Sequence, residues 1–143
     1  MNQPIVYDKA KYHYESVEQA GLDEVQAYVH TAFFLAWLLD NDLMSSDFRE
    51  QSPDLIAQYK AGDKTALDVY SCWDCCLIDD MLSDEGNAFA MHYFDFENGR
   101  YMNDYIDLLV IDLPSEFHVE FNQANYEIIS SQIDRRFKDW KAS

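Results

Sequence analysis

Positive charge is what this sequence has least of: 10 Lys and Arg stand against 27 Asp and Glu, a formal net charge of −17. Binding to DNA or RNA requires a basic face that neutralises phosphates, so the shortage argues against that class, and equally against adsorption to anionic lipid. Glycine and proline are also scarce, four and three, and scattered. No linker, low-complexity tract or repeat interrupts the chain, so residues 1–143 are expected to form a single domain. The three cysteines crowd into Cys72, Cys75 and Cys76, which is no disulfide framework and fits a reducing compartment. The longest apolar run, Ala32 to Leu39, is about eight residues, far short of the ~18–20 that span a bilayer. Met1–Asp8 lacks the basic and apolar regions of a secretory leader. A cytoplasmic protein with no membrane partner is expected.

What the sequence does have is apolar and aromatic mass: 48% hydrophobic and 15% aromatic residues, enough to exclude wholesale disorder. A domain of this size buries roughly 68–70% of its unfolded surface, so a core forms without disulfides. The apolar residues Val25, Tyr28, Val29, Ala32, Phe33, Ala36, Trp37, Leu39 and Leu43 recur at helical spacing, predicting a helix within 22–44 that is apolar on most sides and hence central. Ser52-Pro53 starts a second helix that stops at Gly62, and a third runs from about Lys64 to Trp73. Ser83 to Asn87 reads as a break or tight turn. A last helix begins near Asn122 and carries Tyr126, Ile129, Ile133, Phe137 and Trp140, ending on Arg135, Arg136, Lys138 and Lys141, the sign favoured at a helix C-terminus. Between 105 and 121, the run Leu108–Ile111 and the alternation of Phe117, Val119 and Phe121 leave room for one minor extended or hairpin segment. The fold class predicted is all-α, a compact helical bundle.

Catalytic and metal signatures are weak. Cys72-x-x-Cys75-Cys76 has no second ligand pair for zinc, and packing is the better reading. The acids Asp79, Asp80, Asp84 and Glu85 suggest a cation site, but a calcium loop started at Asp74 fails at Cys76 and Ile78. His13, His30, His92 and His118 fall in separate elements; His92 lies three residues before Asp95, a pair able to orient an imidazole. No nucleophile elbow, HExxH or glycine-rich phosphate loop accompanies it. The expectation is no enzyme, no cofactor and no metal ligands.

Charge is unevenly spread. Between Thr65 and Asp134 there are fifteen acids, and Arg100 is the only base. Such a field speeds encounter with a basic partner, and ten tyrosines offer interface anchors. The residues expected to contact a partner are Asp79, Asp80, Asp84, Glu85, Tyr101 and Asp104, those around Gly86 and Gly99 being placed on exposed turns.

Three segments carry a resemblance: Tyr7-Asp8-Lys9-Ala10-Lys11-Tyr12-His13-Tyr14, Ala27 to Trp37, and Asp79 to Phe89. They resemble a family of small, acidic, cytoplasmic bacterial proteins that look like immunity proteins of polymorphic toxins such as type VI secretion effectors. The resemblance implies a role, binding and neutralising a cognate toxin domain, and transfers no catalytic residue. The toxin expected is basic and handles nucleotide or nucleic acid, with carboxylates entering its cleft in place of phosphates. Two rival readings are a small metal-dependent hydrolase built on His92, Asp95 and Asp79-Asp80, and an acidic adaptor or nucleic-acid mimic with many basic clients.

Overall fold

A computed structural model describes residues 5–143. Its elements are a strand β1 (Val6–Lys9), helices α1 (Tyr14–Gln19), α2 (Val29–Asp40), α3 (Ser46–Gln51), α4 (Pro53–Ala61) and α5 (Ala66–Cys72), a strand β2 (Cys76–Ile78), and helices α6 (Asp84–Tyr93), α7 (Tyr101–Leu109) and α8 (Gln123–Ala142). Short 3₁₀ turns fill Ala10–His13, Glu24–Ala27, Asp79–Met81 and Glu116–His118. The fold is all-α apart from the antiparallel pair β1–β2. No helix among the described residues is long and apolar enough to cross a membrane. Met1–Pro4, half of the opening read for a secretory leader, lie outside the described residues.

Helix α2 is the axle. Every residue from Val29 to Leu39 is buried, because the sequence supplies apolar groups all round the helix and neighbours cover each side. Helices α5 and α8 pack directly on it. Phe33 stacks on Phe121 with centroids 4.8 Å apart, Phe34 on Phe94 at 4.6 Å, and Trp37 meets Phe89 at 5.3 Å and Phe137 edge-on at 5.2 Å. The Trp37 indole N–H donates to Asp134 of α8 at 2.7 Å, so the largest core side chain also leaves no orphaned donor.

Local signals fix the helix ends. Gly62 closes α4 in the left-handed region at φ 83°, where a Cβ would be strained. Thr65 and Asp68 form a reciprocal capping box on α5. Asn122 accepts the Asn125 N–H at the start of α8.

Between 105 and 121 the chain does run extended at Ser115 and Val119 on either side of the 3₁₀ turn Glu116–His118, after Tyr105–Leu109 of α7, but it pairs with no strand among the described residues. A lone strand has no ladder partner there, whereas Val6–Lys9 and Cys76–Ile78 have each other. Two expectations need correction. Ser83–Asn87 is no break, since Ser83 accepts the Gly86 N–H at 3.1 Å and starts α6. Gly86 is buried within α6 rather than on an exposed turn, whereas Gly99 follows the exposed turn 96–98. A Cβ at Gly86 would lie 2.7 Å from the Leu43 carbonyl oxygen, and one at Gly99 only 2.2 Å from that of Tyr93; both glycines permit close backbone approach.

Candidate functional site

Strand β1 pairs with β2 in the register Asp8↔Leu77 and Lys9↔Cys76, with a bulge between Val6 and Asp8. Bulges re-aim side chains, and here Asp8, on the same face as the fully buried Leu77, enters the core at 1% exposure. Its carboxylate meets the first turn of α2, the end of a helix that favours an anion. Thr31 Oγ1 donates to Asp8 Oδ2 at 2.5 Å, His30 Nε2 lies 3.1 Å from the same oxygen, and His13 Nε2 lies 2.7 Å from Oδ1. A carboxylate only accepts, so the His13 ring hydrogen-bonded to it carries hydrogen on Nε2 in this arrangement. Burial pushes the Asp8 carboxyl up, but the hydrogen bonds and electrostatic pull of His13 and His30 outweigh it and hold it at about 2.

The two rings touch edge-to-face at 4.7 Å and, with Phe96, Met102, Glu116 and Phe117, line a cavity of about 160 Å³. Asp8, His13 and His30 are the single group of three or more His, Cys, Asp or Glu residues, among those described, whose ligand atoms all lie within 4.8 Å of one another. Sequence reasoning placed the histidines in separate elements, and so they are. What it missed is that the bulged strand carries Asp8 between them; the only local signal was the spacing of Asp8 and His13 in one short segment.

The residues expected to bind a partner divide. Asp80 and Asp84 are exposed. Glu85 is exposed too, but pairs with Lys141 of α8 at 2.9 Å. Asp79 is half-buried, its N–H donating to the Ile5 carbonyl at 3.0 Å, and its Oδ1 is buried without a hydrogen-bond partner. Beside it, burial and the Asp79 charge push the Tyr7 phenol up to about 12. Tyr101 and Asp104 are corrections. Tyr101 is fully buried, its hydroxyl donating to the His30 carbonyl, because α7 turns that ring into the aromatic core. Asp104, 6% exposed, is held by Arg136 through Nε at 3.0 Å and an Nη at 2.8 Å, and accepts the Tyr93 hydroxyl at 2.7 Å. Neither presents itself to a partner. Nor is the surface rich in tyrosine: Tyr70, Tyr93, Tyr101 and Tyr105 are buried, and of the ten only Tyr12 is exposed.

The rival hydrolase cluster is not assembled. His92 faces the Trp140 ring, Asp95 accepts from the Glu97 N–H and the Asn98 amide, and Asp79-Asp80 lie beyond the opposite end of α6. The cysteines span the α5–β2 junction as free thiols.

A second concave surface lies outside β1 and α6. Ile5, Val6, Met91 and Phe96, each 39–50% exposed, line a groove of about 430 Å³ together with Tyr7, Asp95 and Glu97. Asp84 and Met91, two helical turns apart, share one face of α6. The Asp79–Ile5 hydrogen bond sets Asp79 and Asp80 at the strand end of the groove. Acids therefore frame an apolar floor.

A family model described as a domain of unknown function, DUF7832, matches residues 6–119. The chain belongs to this family. No curated protein and no solved structure matches it. The DUF7832 match takes in Asp8, His13, His30 and Glu116 and the lining of the acid-framed groove except Ile5, and ends before α8.

Proposed function

We propose that this DUF7832 protein is an immunity protein, an inhibitor that docks on a basic toxin domain and neutralises it. The observation that carries the reading is the groove of Ile5, Val6, Met91 and Phe96, lined also by Asp95 and Glu97, with Asp84 two helical turns from Met91 on the same face of α6. Exposed apolar side chains gathered in one concavity mark interaction sites more often than scattered ones do, and an apolar centre inside a polar rim is the anatomy of a protein interface. The rim is of one sign. Of the fifteen acids between Thr65 and Asp134, those framing this groove are placed to steer a basic cleft towards it and to occupy phosphate positions within it. The resemblance of the β1, α2 and α6 segments to immunity proteins supports the same role.

Co-expression with the product of the adjacent gene tests the reading. The expected result is rescued growth and a stoichiometric complex. Met91→Lys, at the apolar centre, is expected to weaken it by about 100-fold, the scale of an interface hot spot. Asp84→Lys, on the rim, is expected to slow association and flatten its salt dependence rather than speed dissociation. Continued killing with no complex, or a complex indifferent to both substitutions, overturns the proposal.

A further inference from the structure

The cluster at the foot of α2 has the composition and spacing of a metal site. We propose that Asp8, His13 and His30 bind one divalent first-row transition-metal ion, with the cavity beside them supplying open coordination positions. Two imidazoles and one carboxylate on one side of an ion, with room left opposite, form a ligand set used for Zn²⁺ and Fe²⁺. Ligands at about 2.0–2.1 Å from such an ion stand roughly 3 Å from each other. Asp8 Oδ1 and His13 Nε2 are already 2.7 Å apart, and Asp8 Oδ2 and His30 Nε2 3.1 Å. Both rings bring the same nitrogen, Nε2, within 3.1 Å of the carboxylate, and a ring whose hydrogen sits on Nδ1 offers the Nε2 lone pair as a ligand.

The surroundings also fit an ion. Asp8 and His30 are 1% and 2% exposed, and a buried carboxylate favours a cation at its side in addition to the hydrogen bonds it already accepts. Thr31 Oγ1 on Asp8 Oδ2 is the outer-shell contact that orients a ligating carboxylate. The cavity of about 160 Å³ that both rings line has room for several waters, and Glu116 lines it too. Tyr105, packed against the His30 ring, has a buried hydroxyl with no partner. The site has a way in, since His13 is 19% exposed at its side chain.

The test uses the full chain, stripped with chelator and titrated with Zn²⁺ by calorimetry, then with Co²⁺ followed by its visible absorption. One equivalent is expected to bind, with Co²⁺ bands of nitrogen and oxygen ligation and no thiolate charge transfer. Thr31→Val is expected to weaken binding about 10–100-fold, the cost of an outer-shell partner, and His30→Gln by more. His13→Gln, at the cavity mouth, reads the same ligand set where the buried His30 variant fails to fold. A triple Cys72, Cys75, Cys76→Ser variant is expected to bind unchanged. Absence of stoichiometric binding, binding indifferent to His13→Gln in a variant whose circular dichroism is native, or binding lost with the cysteines overturns the inference.

Discussion

Phe34→Ala is expected to destabilise the protein by about 3–5 kcal/mol, the range for emptying a buried phenylalanine site. Phe34 is fully buried and touches rings from three directions: Trp37 at 6.0 Å on its own helix, Phe89, Tyr93 and Phe94 at 6.4, 6.3 and 4.6 Å from α6 and its end, and Tyr101 of α7 at 5.4 Å. The cost falls towards the upper end because aromatic walls are rigid and relax little into a void. Tyr101 is further tethered to the His30 carbonyl and Tyr93 to Asp104, so neither ring is free to slide inward. Phe34→Leu, which keeps most of the volume, should cost about 1–2 kcal/mol. Urea unfolding checks both: the midpoint should fall with the slope unchanged, and an alanine variant within about 1 kcal/mol of wild type would mean the cluster is less tightly packed than its geometry implies. Natural domains hold only about 5–15 kcal/mol in total, so this one side chain decides a large share.

The helices whose signals are local were legible in the sequence. Helix α2 announces itself by apolar residues on every side, α4 by Ser52-Pro53 and Gly62, and α8 by Asn122 and the spacing of Ile129, Ile133 and Phe137. The start of α6 was misread because Ser83-Asp84-Glu85-Gly86-Asn87 has the composition of a turn; the same Ser that begins turns also caps helices, and Gly86 is there for the Leu43 carbonyl rather than for bending. Strand β1 was invisible because its partner, Cys76–Ile78, lies some seventy residues on, and pairing at that distance leaves no local periodicity. The acids of the groove rim were legible as a charge excess. Their apolar floor was not, since Ile5 and Val6 come from one stretch and Met91 and Phe96 from another some eighty-five residues on, and only the fold gathers them. Asp8, His13 and His30 follow the same logic: the residue types are plain, but the bulge that aims Asp8 between the rings is not.

Arg136→Met is expected to cost about 3 kcal/mol at neutral pH, more than Asp104→Asn, although both break the same pair. Removing one partner of a buried ion pair typically costs about 3–5 kcal/mol because the other charge is left uncompensated. The asymmetry comes from exposure. The Arg136 side chain is 33% exposed against 7% for Asp104, so a guanidinium deprived of its carboxylate reaches water, while a carboxylate deprived of its guanidinium keeps only neutral partners, the Tyr93 hydroxyl and Gln132. An Asn at 104 still accepts from Tyr93; a Met at 136 replaces nothing the carboxylate needs. The pH dependence separates the two cases. In the wild type, burial raises the Asp104 carboxyl, but hydrogen bonds from Arg136 and Tyr93 outweigh it and hold it below the ordinary range. Its stabilisation is therefore complete above the unfolded value of about 3.9 and is lost as pH falls from there through the lower folded value. In Arg136→Met burial loses its strongest counterweight, so the folded carboxyl rises from its lowered position and the penalty, full at pH 7, shrinks as acid protonates the group. Chemical denaturation at pH 7 and pH 4.5 should show the gap between wild type and Arg136→Met narrowing, while the gap to Asp104→Asn stays nearly constant down to about pH 4 and closes only below it. A gap for Arg136→Met that holds steady or widens on acidification would mean that the Asp104 carboxylate finds another cation when Arg136 is gone.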